Sequence, residues 1–328
     1  MKVILIFLVS FLLCILFAVA LMPLLRRLKQ PILHYVKEHS AKAGTPTMGG
    51  VIFLISIALS FVIFTEGYNK SAVLALCITI GYAVIGFLDD FLKLRYKENM
   101  GLRPWQKALF QLGIAVISAF FVYYGDTELI LPFSGKSVNL GWWIIPLTVV
   151  VFLAVTNGVN LTDGLDGLCS WVVFVYSVLF CVILLFRGAY FDEAGRIAIS
   201  GDYLNMAYLC AAVAGSLFAF LLFNVNPAKI FMGDTGSLLL GGFAASVGCF
   251  SEFSLFIPFF GIVFVISCVS VILQVAHFKR TGGKRIFLMA PYHHHLQMKG
   301  LSETRISQIY VALTVFVSLC VLLFTFFL

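Results

Sequence analysis

The chain has 328 residues and a formal net charge of +7, and 61% of its residues are hydrophobic while only 11% are charged. Because soluble globular chains carry about 25% charged residues, this composition excludes an ordinary soluble protein. The mean hydropathy of +1.04 indicates a polytopic membrane protein instead. We expect residues 1–328 to form a single integral membrane domain, because no polar stretch is long enough to fold alone.

Ten apolar segments follow one another along the chain, and they predict an all-α bundle of ten transmembrane helices. They cover 3–25, 48–65, 71–88, 105–124, 142–158, 168–186, 204–223, 237–250, 255–278 and 306–328. A membrane span takes roughly 20 residues at a rise of 1.5 Å each, and most segments approach that length. Segment 237–250 is short and rich in glycine, which favours either tight packing or an earlier start.

The basic residues are distributed unequally between two sets of loops. Of the 22 lysines and arginines, 16 fall in the loops 26–47, 89–104, 159–167, 224–236 and 279–305, whereas five fall on the opposite side. The positive-inside rule therefore predicts that the first set is cytoplasmic and that both termini are extracytoplasmic. On the outer side, residues 125–141 predict a small β-hairpin and residues 188–203 predict a short surface helix.

Five carboxylates stand where apolar segments end, all on the predicted cytoplasmic side: Asp89, Asp90, Asp163, Asp166 and Asp234. Ionisable groups at the membrane edge are costly and are usually retained for a function. Because these acids face a side rich in lysine and arginine, we expect a site for metal and phosphate there. Lys93 and Lys97 follow Asp89 at helical spacing, which fits such a site or a simple ladder of salt bridges.

Asp89 and Asp90 are consecutive, so on a helix their side chains point about 100° apart and cannot do the same job. The next motif spaces Asn160, Asp163 and Asp166 by three residues, which puts them on one face if the segment is helical. No lysine or arginine lies in the loop 159–167. Its two acids therefore need a partner from elsewhere, such as a metal, a substrate donor or a lysine of another loop.

Asp234 lies between two glycines just before a predicted helix. There it could be an ordinary N-cap, or it could bind Mg²⁺ together with the hydroxyls of Thr235 and Ser237, because Mg²⁺ prefers oxygen ligands. Phe231 in the same loop could stack on a base.

Two basic motifs complete the predicted cytoplasmic face. The stretch KAGTPTMGG begins at Lys42, and the stretch PYHHH contains His293, His294 and His295 downstream of four basic residues. Three successive histidines on a helix span about 200°, and no cysteine or second histidine pair completes a zinc site. Imidazoles that contact phosphate oxygens are the favoured interpretation.

The motifs KAGTPTMGG, GFLDD, NLTDGLDG, FMGDTGS and PYHHH occur in this order along essentially the whole chain. Together they resemble the phospho-N-acetylmuramoyl-pentapeptide transferases, which belong with the polyprenyl-phosphate N-acetylhexosamine-1-phosphate transferases. The resemblance implies transfer of phospho-MurNAc-pentapeptide from UDP-MurNAc-pentapeptide to undecaprenyl phosphate, giving lipid I and UMP in peptidoglycan synthesis. It also implies Mg²⁺ as cofactor, a homodimer in the bacterial cell membrane with a cytoplasmic active site, and no nucleic-acid partner.

The resemblance also implies roles for individual residues. The catalytic set would be Asp89, Asp90, Asp234 and His293, with Asp234 as the Mg²⁺ ligand. Substrate would contact Lys42, Thr47, Asn160, Asp163, Asn224, His294 and His295. Lys93 and Lys97 are added to the substrate-binding set because of their helical spacing from Asp89. The uracil pocket would comprise Gly164, Leu165, Asp166 and Phe231, with Gln274 at its border. The family commonly continues its histidine triplet with Phe-Glu, whereas this chain has Leu296-Gln297, which leaves no carboxylate at that point.

Other functions and another mechanism stay open at this stage. Within the enzyme class, the alternative is transfer of GlcNAc-1-phosphate to a polyprenyl phosphate. A cation-coupled transporter would keep its acids near the midplane on broken helices, whereas these acids cluster at one edge. A non-catalytic lipid-binding scaffold is supported by the basic loops alone. The transfer itself could be a direct attack by the lipid phosphate or could pass through a covalent carboxylate intermediate.

Overall fold

The computed structural model describes residues 1–27, 44–67, 69–96 and 101–326 of the chain. Its regular structure is mostly helical, with α1 (Lys2–Leu25), α2 (Gly50–Phe64), α3 (Lys70–Tyr96), α4 (Pro104–Gly125), β1 (Glu128–Ile130), β2 (Ser137–Asn139), α5 (Ile144–Thr162), α6 (Leu168–Glu193), α7 (Ile197–Asn224), α8 (Gly233–Cys249), α9 (Ile257–Phe260), α10 (Ile262–Arg280), α11 (Tyr292–Met298) and α12 (Glu303–Phe326). Short 3-10 turns at Gly141–Trp143 and Ser254–Phe256 precede α5 and α9.

Each of the ten predicted apolar segments overlaps one of the longer helices. Eight helices in the described ranges, namely α1, α3 to α7, α10 and α12, are long and apolar enough to cross a membrane. The two remaining helices that overlap predicted segments are shorter, with 15 residues in α2 and 17 in α8. The prediction of a mostly helical, multi-pass membrane protein is therefore confirmed.

Helix α8 lies at the centre of the bundle, packed mainly against α3 and α5, while α7 packs against α1 and α6. Every residue of α8 except Asp234 is buried. Two glycines show how closely α8 is packed. A Cβ added at Gly242 would lie 2.6 Å from the Tyr82 ring, and one added at Gly241 would lie 2.6 Å from Thr156 Cα. Both interpretations of segment 237–250 are thus correct, since its helix packs tightly and also begins earlier, at Gly233.

At the end of the bundle opposite the five carboxylates, the predicted β-hairpin is confirmed. Strands β1 and β2 pair antiparallel, with Glu128 opposite Asn139 and Ile130 opposite Ser137. The predicted surface helix over 188–203 is wrong. Helix α6 continues through the polar residues to Glu193, the chain turns at Gly195 with φ +73°, and α7 begins at Ile197. Loss of hydrophobicity marks where an apolar face ends, whereas the helix itself continues until a glycine stops it.

Candidate active site

Two of the motifs are joined backbone to backbone. The N–H of Phe231 donates to the carbonyl of Pro46 at 2.8 Å, and the N–H of Gly49 donates back to the carbonyl of Phe231 at 2.9 Å. A third bond runs from the N–H of Gly50 to the carbonyl of Met232 at 3.0 Å. The start of α2 is therefore held beside the start of α8, although the two motifs are far apart in sequence.

Asp90 caps the N-terminus of α8 from another helix. Its carboxylate accepts the backbone N–H of Asp234 at 3.1 Å, the N–H of Thr235 at 2.9 Å and the Thr235 hydroxyl at 2.7 Å. These are the orphan donors that a helix start leaves unpaired, and an anion there is also stabilised by the helix dipole. Asp234 lies inside α8 and is not its N-cap. The alternative interpretation of Asp234 as an ordinary N-cap is therefore wrong.

Gly233 is required for this approach. Its φ is +70°, and a Cβ at this position would lie 2.5 Å from Asp90 Oδ2 and 2.9 Å from Thr47 Oγ1. Thr47 itself is buried at the same helix start. A side chain at Gly233 would therefore strain the backbone and push the cap away.

Two carboxylates and two lysines form one compact network beside that helix start. Lys93 Nζ lies 2.7 Å from Asp89 Oδ2 and 2.6 Å from Asp234 Oδ2. Lys107 Nζ lies 3.0 Å from Asp234 Oδ2 and 3.7 Å from Asp89 Oδ2. Asp89 is itself held by the N–H of Leu102, which donates to Oδ1 at 2.7 Å. Each of the two acids therefore lies close to both lysines. The four charged side chains form one network and not two separate ion pairs.

Asn160 completes the surroundings of Asp234. Its side-chain amide donates to Asp234 Oδ1 at 2.7 Å and to the hydroxyl of Ser237 at 2.8 Å. Asn160 lies in the last turn of α5, which ends at Thr162 with Asp163 as its C-cap. Because the helix ends there, Asn160 and Asp166 do not share a face.

Asp166 points to a different loop. Its Oδ2 accepts the Asn226 side-chain amide at 3.1 Å and the N–H of Ala228 at 3.0 Å, while its own N–H donates to Glu303 Oε2 at 2.9 Å. The sequence predicted that this acid needs a partner from outside its own loop. Uncharged N–H donors of the loop after α7 provide such partners. Asp163 lies at the end of α5, where its N–H donates to the Val159 carbonyl at 3.2 Å.

The other residues assigned to the nucleotide end surround these loops. Asn224 is buried, accepts the Ser170 hydroxyl at 2.8 Å and donates to the Ile230 carbonyl at 3.0 Å. Leu165 is buried, whereas Phe231 is partly exposed. Asn224 thus orders the loop that carries Phe231.

His293 is completely buried in the short helix α11 and lies against Gly164. A Cβ at Gly164 would be 2.3 Å from His293 Nε2, so only glycine allows the histidine to come this close. Neither ring nitrogen has a hydrogen-bond partner in the described ranges. Burial, with a smaller contribution from the neighbouring His294, lowers the pKa of His293 to about 3. The imidazole is therefore neutral at physiological pH.

The remaining histidines have separate partners. His294 Nδ1 lies 3.1 Å from Gln297 Oε1, and Gln297 Nε2 donates to Glu303 Oε1 at 3.3 Å. An amide at position 297 thus bridges an imidazole and a carboxylate, where a glutamate would face Glu303 as a like charge. His295 Nδ1 accepts the N–H of Leu288 at 3.1 Å.

Among the described residues, the hydrogen bonds of one assigned residue, Gln274, do not lead to this site, and two further assigned residues are not described. Gln274 uses its amide on the loop after α10, where Oε1 accepts the N–H groups of Ile286 and Phe287 at 3.1 and 2.9 Å. Lys42 and Lys97 lie outside the residues that the structure describes.

Sequence reasoning missed Lys107 and Glu303. Lys107 lies inside the apolar segment 105–124, and that position is the available signal, because a charge inside an apolar helix is costly without a partner. Glu303 begins α12 and contacts both the Asp166 loop and Gln297. No local pattern marks it.

The carboxylate oxygens at this site suit a hard cation that takes most of its ligands from the substrate. In the described ranges, no group of three or more His, Cys, Asp or Glu side chains could hold a metal ion. Asp89 and Asp234 nevertheless direct carboxylate oxygens at the same ammonium group. Mg²⁺ is commonly bound by one or two carboxylates together with waters and substrate phosphates, so Asp234 and Asp89 suit it.

Comparison with known proteins shows the family to which the chain belongs. The profile of glycosyl transferase family 4 matches residues 72–252, more than half of the chain, which makes the protein a membrane-embedded transferase of that class. The phospho-N-acetylmuramoyl-pentapeptide-transferase signature 1 matches residues 42–54. The phospho-N-acetylmuramoyl-pentapeptide-transferase of Clostridium perfringens (strain SM101) is 41% identical over 96% of this chain and 94% of its own length. Those of Listeria innocua and Halalkalibacterium halodurans are also 41% identical, over 88% and 90% of this chain and 87% and 89% of their own lengths. The chain belongs to the phospho-N-acetylmuramoyl-pentapeptide-transferase family.

Proposed function

We propose that this transferase moves phospho-MurNAc-pentapeptide from UDP-MurNAc-pentapeptide to undecaprenyl phosphate, releasing UMP and forming lipid I. The observation that carries the proposal is the network in which Lys93 and Lys107 share Asp89 and Asp234 within 3.7 Å. Donor and acceptor together bring three phosphates to one centre. Such a reaction needs several cations held in place before the substrates arrive.

The acceptor phosphate is placed beside Asp89 in this proposal. An oxygen of the lipid phosphate attacks the sugar-linked phosphorus, a new P–O bond forms, and the P–O bond to UMP breaks in line. Asp89 orients the acceptor or takes its proton. We assign this role to Asp89 and not to Asp90, because the two oxygens of Asp90 already serve three donors at the start of α8. Asp90 is therefore a positioning residue that holds the helix carrying Asp234.

The lysines change partners when substrates bind. Both ammonium groups now neutralise carboxylates, and phosphate oxygens can compete for them because the site is partly open, with the two lysine side chains 26% and 20% exposed. Mg²⁺ on Asp234 would supply further neutralisation of the diphosphate, and Asp89 is the second oxygen donor within reach. Asn160 keeps Asp234 oriented during the exchange.

The nucleotide end is assigned to the loops that meet around Asp166. Gly164, Leu165, Asp166 and Phe231 would receive the uracil, while Thr47, Asp163, Asn224, His294 and His295 would line the sugar-phosphate path, together with Lys42 and Lys97. His293 would face the reaction centre as a neutral imidazole beneath Gly164. Gln274 would border the pocket through the loop 286–287 that it holds.

The cellular setting completes the proposal. The excess of basic residues on the loops near the site favours the cytoplasmic face of the bacterial cell membrane. The chain would act as one integral membrane domain with ten spans, both termini outside, and would assemble as a homodimer. No nucleic-acid partner is involved.

Release of UMP by the purified protein tests the proposal. We expect Mg²⁺-dependent release from UDP-MurNAc-pentapeptide with undecaprenyl phosphate, and none when the lipid acceptor is omitted. UDP-GlcNAc serves as the matched donor, and equal release from it would assign the chain to GlcNAc-1-phosphate transfer instead. Absence of lipid I as a product would refute the transfer reaction itself.

A further inference from the structure

A second polar region lies at the opposite end of the bundle from the candidate active site. Helix α3 connects the two, because it begins at Lys70 and carries Asp89 nineteen residues later, about 28 Å away at 1.5 Å per residue. A cavity of about 550 Å³ opens there among the ends of α3, α4, α6 and α7, β1 and the turn after α8. Its volume lies within the range of small-molecule sites.

Most of the acids lining this cavity already have partners. Asp202 accepts the N–H of Ser71 at 2.9 Å and also its hydroxyl, so it caps the start of α3. Glu252 accepts the Tyr203 hydroxyl at 2.8 Å and Arg187 Nη2 at 3.3 Å. Asp126 accepts the N–H of Glu128 within its own turn at 2.9 Å. Three of the four carboxylates are thus committed, and the fourth belongs to Glu128.

Among the described residues, the arginines that line the cavity have fewer hydrogen-bond and ion-pair partners than its acids. The guanidinium carbons of Arg187 and Arg196 both lie 4.8 Å from the centre of the Phe191 ring. Arg187 Nε is buried and has no hydrogen-bond partner among the described residues. Within those residues, Arg196 forms no salt bridge. Two guanidiniums therefore lie against one aromatic ring, and among the described residues only that of Arg187 is paired with a carboxylate, Glu252.

We propose that this cavity binds a phosphate group. Guanidinium forks are the side chains best suited to planar, bidentate recognition of phosphate. Arg187 and Arg196 both line this cavity. Lys70 on the neighbouring helix adds a third positive charge to the lining. Exposed aromatic rings surround the site, with Tyr124 76% and Tyr190 62% exposed, as expected where a protein meets lipid headgroups.

The phosphate can arrive on a lipid headgroup or as a free ion, and the test separates these sources. The purified protein is titrated with short-chain phosphatidylglycerol in one arm and with inorganic phosphate in the other, and thermal unfolding and native mass spectrometry report binding. Arg196→Gln is the main variant, because this residue is exposed and we expect its replacement to leave the fold intact. Lys136→Gln, in the exposed hairpin turn, is the matched control.

We expect affinity to fall about tenfold in Arg196→Gln, as for the loss of a charged hydrogen-bonding partner, and to stay unchanged in Lys136→Gln. Arg187→Gln should weaken binding further. A response to phosphatidylglycerol alone assigns the site to a lipid headgroup, and a response to inorganic phosphate assigns it to the free ion. If neither probe binds, or if all variants bind as tightly as the unaltered protein, the proposal is wrong.

Discussion

At both ends of the bundle, a carboxylate of one helix caps the start of another helix. The two ends differ in how their remaining charges are paired. At the inner cluster, formed by Asp89, Asp90, Lys93, Lys107 and Asp234, a carboxylate of α3 caps the start of α8. At the outer cluster, formed by Lys70, Arg187, Arg196, Asp202 and Glu252, a carboxylate of α7 caps the start of α3. Each cap orders the start of a helix.

The difference lies in the remaining charges. In the inner cluster, each of two lysines lies within 3.7 Å of both Asp89 and Asp234. In the outer cluster, Glu252 accepts a phenol as well as a guanidinium, and the arginines stack on an aromatic ring. A network of shared ion pairs can exchange its partners with incoming phosphates, whereas stacked cations hold one position. The first arrangement suits transfer, and the second suits retention of a ligand.

The largest effect should come from Asp234→Asn, which removes the charge shared by Lys93 and Lys107. We expect kcat for UMP release to fall about 10³-fold, the scale for losing a preorganised electrostatic contact to the reacting groups. Asp192→Asn, at an exposed acid near the opposite end, is the control and should leave kcat unchanged. Turnover within threefold of the unaltered enzyme would remove Asp234 from the mechanism.

The two caps can be compared directly with Asp90→Ala and Asp202→Ala. Each variant should lower thermal stability by the equivalent of about 1–2 kcal/mol, because each removes a helix cap. Only Asp90→Ala should also lower kcat, by about 10²-fold, since a displacement of about 1 Å at Asp234 misplaces the reacting groups. Equal losses of kcat in both variants would show that the inner cap acts through stability alone.

Lys107→Gln should have a smaller effect on transfer, because Lys93 remains in contact with both acids. We expect kcat/KM to fall about tenfold, the value of one charged hydrogen bond, with Lys136→Gln unchanged. The dependence on Mg²⁺ concentration is the second measurement. No change in either quantity would mean that Lys107 only balances charge within the resting site.

The sequence was sufficient to predict what depends on local pattern. Apolar segment length located the ten longer helices, and the stretch 125–141 predicted the β-hairpin that forms within it. The motifs also led to Asp89, Asn160 and Asp234, which the structure brings together. Local pattern failed at 188–203, because hydropathy reports burial and not where a helix ends.

Tertiary contacts could not be predicted in the same way. The hydrogen bond from the Asp234 N–H to Asp90 joins residues 144 positions apart, so no window along the chain contains both. The same applies to Asp166, whose partners Asn226 and Ala228 lie 60 and 62 positions away. Consecutive acids that look equivalent in sequence are thus separated by packing into a cap, Asp90, and a member of the charge network, Asp89.

A separate effect, on stability and not on turnover, concerns pH and His293. The pKa of this histidine is lowered to about 3 in the folded protein, against about 6.5 when the chain is unfolded. Between these values the unfolded state binds the extra proton, so stability should fall as pH falls from 6.5 towards 3, by up to about 1.4 kcal/mol per pH unit. His293→Phe keeps a ring against Gly164 and should flatten this dependence in thermal unfolding between pH 6.5 and 4.5. His277→Phe, on α10, should retain it, because the buried imidazole is still present. An unchanged slope in His293→Phe would show that His293 is solvated in solution, and the neutral imidazole proposed beside the reaction centre would then be wrong.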